Sequence, residues 1–135
     1  MSFDGKVLIA DDEPHIRKFV SLVLGRLGKP LVVEAKNGAE AVEIFARESP
    51  DVVLLDVNMP GTDGLHALAR IRERDADVPI VMLTSVVSRQ TVDECARLGA
   101  TAYLRKDTAR DELTKELKAI LDDIFGDPSA APPSS

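Results

Sequence analysis

Val52-Val53-Leu54-Leu55-Asp56-Val57-Asn58-Met59-Pro60-Gly61 is the stretch that decides the fold. Four consecutive branched aliphatic residues without a polar interruption read as a strand buried on both faces, as in a parallel sheet between helix layers. The run ends on a carboxylate, and turn residues follow at once: Asn58, Pro60, Gly61, then Asp63 and Gly64. An aspartate at the carboxyl end of a central parallel strand stands where open α/β sheets place their active sites. Alternatively, Asp56 merely ends a strand or caps a helix. The rest of the chain decides between the two.

Working outward, the same strand-then-helix unit recurs. Val7-Leu8-Ile9-Ala10 reads as a strand ending on Asp11-Asp12-Glu13, and Pro14 suits the first position of a helix after an acidic N-cap. Ile16, Phe19, Val20, Val23, Leu24 and Leu27 recur at helical spacing, with Gly28 as the expected stop. Leu31-Val32-Val33 is a second strand and Asn37-Gly38 a turn before a helix carrying Ala41, Val42, Ile44 and Phe45. After Asp56 comes a helix with Leu65, Leu68 and Ile71, whose end, Arg70 to Asp75, reads as a solvated face. Ile80-Val81-Met82-Leu83 is a fourth strand ending on Thr84-Ser85, followed by a helix over 88–98 with Gly99 as its stop. Ala102-Tyr103-Leu104 is a fifth strand leading into Arg105-Lys106-Asp107, and Leu113, Leu117, Ile120, Leu121 and Ile124 share one face of a last helix. Five βα units demand a parallel sheet with helices on both faces. Acids at the ends of strands one and three suggest that these strands are neighbours, and the doubly wound flavodoxin-like order 2-1-3-4-5 fits.

Composition narrows the function. With 44% hydrophobic and 30% charged residues in 135, the chain is an ordinary soluble composition with enough length for a core, expected as one domain over 1–126. Residues 127–135, rich in Pro, Ala and Ser, cannot build a core and read as a disordered tail or the start of a linker. A net charge of -6 argues against a nucleic-acid surface on this domain. The one cysteine, Cys95, permits no internal disulfide, and the apolar run after the N-terminus is too short for a signal peptide or a membrane span. A cytoplasmic location is expected.

In such a sheet every carboxyl end faces one edge. Strand one delivers Asp11 and Asp12 there, strand three Asp56, strand four Thr84 and strand five Lys106. Carboxylates gathered together repel, and keeping them ionised requires a cation; oxygen ligands without soft donors favour a hard ion such as Mg²⁺. A lysine and a hydroxyl on the same rim suit phosphoryl oxygens, and a carboxylate can itself accept a phosphoryl group. Each piece alone is ordinary: acids before a helix cap it, and a lysine after a strand is solvated. Their joint occurrence at successive strand ends is what carries the chemistry. His15 and His66 stand alone without ligand spacing, and Cys95 reads as a packed thiol.

From about Lys6 to Phe125 the chain resembles a CheY-like receiver domain of two-component response regulators, through Ile9-Ala10-Asp11-Asp12-Glu13, Leu54 to Gly61 with Asp63-Gly64, Leu83-Thr84-Ser85 and Tyr103-Leu104-Arg105-Lys106. The resemblance implies phosphoryl transfer from a sensor histidine kinase or histidine phosphotransfer protein to Asp56. It implies Mg²⁺ on Asp11, Asp12, Asp56 and the backbone carbonyl of Asn58, with phosphoryl oxygens on Thr84 and Lys106. Tyr103 then acts with Thr84 as a switch on the surface of the fourth helix, fifth strand and fifth helix, which signals to a downstream protein and in many receivers pairs two copies. The chain departs from the family in having Asp107 where proline, after a cis peptide, usually follows the lysine. A cis non-proline bond costs about 2.5–4 kcal/mol. Either it is cis here, or a trans loop aims Lys106 differently; Asp107 could also cap the last helix. Apolar Val86, two residues beyond Thr84, is expected to shield the phosphoryl group from water. A phosphohydrolase of the haloacid-dehalogenase type would carry a second aspartate where Asn58 stands, so turnover of external substrates is not expected. A module with a decayed site is disfavoured by the intact set of acids, threonine and lysine.

Overall fold

The computed structural model describes residues 3–59, 64–85 and 88–126. Ten elements alternate along the chain: β1 (Lys6–Ala10), α1 (Pro14–Gly25), β2 (Leu31–Ala35), α2 (Gly38–Glu48), β3 (Val52–Asp56), α3 (Gly64–Arg74), β4 (Ile80–Thr84), α4 (Arg89–Arg97), β5 (Ala102–Arg105) and α5 (Arg110–Phe125). The five strands form one sheet in the order β2-β1-β3-β4-β5, and every pairing is parallel. This is the expected flavodoxin-like order.

All five residues of β3 and of β4 are buried. Side chains alternate between two cores because successive strand residues face opposite ways. Leu8, Val53, Leu55 and Met82 pack with Ile44, Phe45, Leu68, Ile71 and Cys95 under α2, α3 and α4. Val7, Ile9, Val52, Leu54, Val81 and Leu83 pack with Val20, Val23, Leu24, Leu113, Leu117 and Leu121 under α1 and α5. Truncating any one of these leucines to alanine removes on the order of 2–5 kcal/mol, so the central strands are held rigidly from both sides.

Some element boundaries differ from the sequence reading and others match it. Glu13 stands at the N-cap of α1 but makes no side-chain cap bond; its amide donates instead to Asp11 Oδ1 at 2.8 Å. The helix ends at Gly25, and Gly28 lies beyond it, where a Cβ would fall 2.1 Å from the backbone oxygen of Phe3. Gly28 is thus needed for chain approach, not for stopping the helix. Asn37-Gly38 opens α2 directly, with Asn37 Oδ1 accepting from the Glu40 amide at 2.8 Å. Ser88 caps α4 in the same way, accepting from Thr91 at 3.0 Å, and Gly99 ends it at φ 97°.

The largest departure concerns the end of α3. Arg72 is half-buried, and its guanidinium donates to the carbonyls of Gly99 (2.8 Å), Val78 (2.6 Å) and Asp75 (3.2 Å) and to Thr101 Oγ1 (3.4 Å). Thr101 Oγ1 in turn accepts from the Ile80 amide at 3.0 Å. Arg72 therefore ties the end of α3 to the start of β4 and to the turn between α4 and β5. Only the fixed fork of a guanidinium reaches so many acceptors. Arg72→Ala is expected to lower unfolding free energy by about 2–4 kcal/mol in urea titration, because it orphans several part-buried carbonyls. Arg72→Lys should recover less than half of that loss.

Candidate functional site

Sheet register brings the candidate residues to one edge. Ala10 pairs with Leu55, Asp56 with Leu83, and Thr84 with Arg105, so Asp11, Asp56, Thr84 and Lys106 follow each other across adjacent strand ends. The Val57 amide donates to the Leu83 carbonyl and the Lys106 amide to the Thr84 carbonyl, carrying the ladders one step into the loops. α3 starts hard against this edge: a Cβ on Gly64 would lie 1.8 Å from the Asp56 carbonyl oxygen, and the Gly64 amide bonds to the Val57 carbonyl at 2.9 Å. No other residue permits that approach.

Asp11 and Asp56 are 0% and 1% exposed, and Asp12 is open to solvent. One carboxylate oxygen from each of the three lies within 4.8 Å of the others. The two buried aspartates are held alike. Asp11 Oδ1 accepts from the Glu13 amide at 2.8 Å, and Asp56 Oδ1 accepts from the Asn58 amide at 3.1 Å. Their Oδ2 atoms point away from the backbone, toward Lys106 Nζ at 2.7 Å and 3.0 Å. Those contacts are ion pairs without hydrogen-bond alignment, and the two Oδ2 atoms are the buried side-chain oxygens, among the described residues, that lack a hydrogen-bond partner. Glu13 Oε1 also reaches Lys106, at 3.4 Å. Two buried, imperfectly satisfied carboxylate oxygens and a third acid at the solvent side are a donor set suited to a hard divalent cation.

The charges are strongly coupled. Burial, reinforced by the neighbouring Asp11, pushes the Asp56 carboxyl up to about 7 against the counter-pull of Lys106. Burial would lower Lys106, but its contacts with Asp11 and Asp56 outweigh that and hold its ammonium above the ordinary lysine value.

Lys106 reaches both aspartates without any cis peptide in the described residues, which resolves the question raised by the missing proline in favour of a trans loop. Asp107 does not cap α5, whose N-cap is Ala109; it pairs with Arg105 at 3.0 Å on the surface. Thr84 is 3% exposed at the next strand end, and Tyr103 faces outward at 43% exposed. Asn58 is exposed, and its amide donates to Asp56 Oδ1. Val86 and Pro60 to Asp63 lie outside the described residues. His15 contacts Glu13 at 3.4 Å and His66 accepts from Arg70 at 3.4 Å; neither joins the carboxylate cluster. Cys95 is buried, and burial pushes its thiol up, away from the reactive thiolate.

The family model of the response regulator receiver domain matches residues 7–118. This chain belongs to the response regulator receiver family. It is 33% identical to the chemotaxis protein CheY of Bacillus subtilis over 116 residues, covering 86% of this chain and 97% of that protein. Sporulation initiation phosphotransferase F of the same organism is also 33% identical, over 86% of this chain and 93% of that one. The solved structure of the chemotaxis protein CheY4 of Vibrio cholerae matches with a TM-score of 0.80 and 34% identity, covering 88% of this chain and 100% of that chain. A CheX–CheY complex of Borrelia burgdorferi containing BeF3 and Mg²⁺ matches at a TM-score of 0.80 and 27% identity, over 86% of this chain and 88% of that one. Other relatives are longer. The chain spans 61% of a Pseudomonas aeruginosa protein named as a transcriptional regulator, 37% identical, and 45% of one from Guillardia theta, 42% identical.

In this receiver domain the raised Asp56 carboxyl has a stability signature. Between the ordinary value of 3.8 and about 7 the folded state holds a proton that the unfolded chain has released. Stability contributed by this group is therefore present at low pH and lost as pH rises through that window. In chelator, Asp56→Asn should be more stable than wild type by an amount that grows from pH 4 to pH 7 at up to about 1.4 kcal/mol per pH unit, then levels off. Paired denaturant titrations across that range test this; a constant difference would contradict it.

Proposed function

We propose that this receiver accepts a phosphoryl group on Asp56 from a sensor histidine kinase or a histidine phosphotransfer protein. The observation that carries the reading is the Lys106 ammonium lodged between Asp11 Oδ2 and Asp56 Oδ2 at a rim shared by three carboxylates. The names and contents of the relatives support it: one is a phosphotransferase, and another was solved with BeF3 and Mg²⁺.

Asp56 Oδ2, the oxygen not committed to a backbone amide, attacks the phosphorus. The phosphorus–nitrogen bond of the donor phosphohistidine breaks, its electron pair leaves on the ring nitrogen, and an acyl phosphate remains on Asp56. Asp11, Asp12, Asp56 and the Asn58 carbonyl would hold Mg²⁺, which supplies positive charge against both the acids and a phosphoryl oxygen. Lys106, kept ionised by its acidic neighbours, moves from sharing two carboxylates to pairing with a phosphoryl oxygen. Thr84 donates its hydroxyl to another. The loss of Lys106 from Asp11 and the draw on Thr84 favour an inward position of Tyr103 and a changed α4–β5–α5 surface, which signals to a downstream protein and can pair two receivers. No external substrate is turned over, because Asn58 offers no acid or base beside Asp56. The unit comprises residues 1–126, followed by a linker or tail over 127–135, and works in the cytoplasm without binding nucleic acid.

The first test is intact mass after incubation with acetyl phosphate. A gain of one phosphoryl group that needs Mg²⁺ and disappears in Asp56→Asn is the expected result. No adduct in protein shown separately to bind Mg²⁺ would refute the acceptor role. Because Lys106 competes for the same carboxylate oxygens, Lys106→Met should bind Mg²⁺ more tightly, by about three- to tenfold, which is about 0.7–1.4 kcal/mol. Titration calorimetry of the two proteins measures it, and weaker binding by the variant would contradict the competition.

A further inference from the structure

Arg17 plays no part in the chemistry above, yet it holds the backbone beside the carboxylates. It lies in the first turns of α1, and its side chain is only 17% exposed. Its Nη1 donates to the backbone carbonyl of Asp11 at 2.7 Å, and its Nε donates to Glu34 Oε1 on the edge strand β2 at 2.8 Å. The β1–β2 register ends at the Ala10–Ala35 pair. Beyond it the Asp11 amide still finds the Ala35 carbonyl at 3.0 Å, whereas the Asp11 carbonyl has left the ladder and takes the guanidinium as its partner.

That carbonyl belongs to the peptide joining Asp11 to Asp12. A peptide unit is planar, so holding its oxygen restrains the plane that contains both Cα atoms. One side chain thereby orients both acids of the β1 end together. Glu34 accepts from a second nitrogen, Nε, of the same guanidinium, and the fork's rigidity lets a single arginine serve two acceptors.

We propose that Arg17, oriented by Glu34, is a positioning residue that sets the Asp11–Asp12 peptide for divalent cation binding. This rests on the reading of the acidic cluster as a Mg²⁺ site. Arg17 touches neither cation nor phosphoryl group; it acts through the backbone. Its sign is diagnostic. Deleting a positive charge near a cation site favours cation binding by electrostatics alone, whereas losing the strap weakens it.

The test is Mg²⁺ titration calorimetry on the full chain: wild type, Arg17→Met, Arg17→Lys, Glu34→Gln, and Arg26→Met as a charge-matched control whose Asp111 pair lies elsewhere on the surface. All are measured where circular dichroism shows each variant folded. Arg17→Met is expected to weaken Mg²⁺ about tenfold, as loss of an outer support of a metal site does, with Arg17→Lys and Glu34→Gln in between and Arg26→Met unchanged. In acetyl phosphate labelling, the Mg²⁺ concentration for half-maximal rate should rise in step, with the rate at saturating Mg²⁺ kept within about twofold. Arg17→Met that melts earlier but binds Mg²⁺ as wild type does, or more tightly, overturns the proposal and leaves the site reading standing. Wild type that binds no Mg²⁺ overturns both.

Discussion

Everything at the functional edge depends on one electrostatic constraint: two buried carboxylates and a third at the surface share space with a single buried ammonium. Beside Asp11, the buried Asp56 would by itself shed its charge, since a carboxylate out of water and beside its like is strongly disfavoured. Lys106 stands at 2.7 Å and 3.0 Å from them and keeps the arrangement tolerable, though Asp56 still titrates near 7. The fold supplies the rigidity that this requires. β3 and β4 are buried along their whole lengths, so neither acid nor threonine can relax by moving its strand. The site is under-neutralised, and that deficit would give an incoming cation its purchase.

The sheet order and most element positions were legible because they rest on short-range pattern. Unbroken aliphatic runs such as Val52 to Leu55 can be buried on two faces only in a parallel sheet, and the helices announced themselves through apolar spacing. The misreadings also have physical sources. Gly28 looks like a helix stop by type, but what fixes it is the approach of Phe3, a contact from 25 positions away. Asn37-Gly38 reads equally as a turn or a cap, since the same side-chain oxygen serves either; Glu40 three residues on decides for the cap.

At the candidate site, the convergence of Asp11, Asp12, Asp56 and Lys106 on one edge was legible because strand ends are a topological address. Arg17 and Arg72 were not. Each occurs among other charged residues on a helix, and no periodicity distinguishes an arginine in water from one that reaches a carbonyl across the fold. Arg72 in particular sits in Arg70 to Asp75, where solvation is the ordinary expectation, and its acceptors at Val78, Gly99 and Thr101 become neighbours only once β4 and β5 pair. The trans peptide after Lys106 was likewise undecidable from type: β5 extends its ladder through the Lys106 amide to Thr84, and that bond, made before Asp107 is reached, aims the lysine.

The two arginines also bear on where a signal could travel. Arg17 fastens the β1 end to β2, and Arg72 fastens the turn after α4 to α3 and β4. Of the five helices, α4 buries one residue of nine, Cys95, whereas α2 and α3 bury four each and α1 and α5 three each. An element that buries so little apolar surface costs least to displace. The turn after the C-terminal end of α4 is held at Gly99 by the Arg72 guanidinium. In the proposed switch, a pull on Thr84 would act on a weakly packed helix whose far end stays tied. Such a helix would tilt about its anchored end more cheaply than it translates, and the proposed α4–β5–α5 surface, where Tyr103 stands exposed, would change shape with that tilt. The anchoring, as much as the mobility, is what would give the proposed switch two defined positions instead of a continuum.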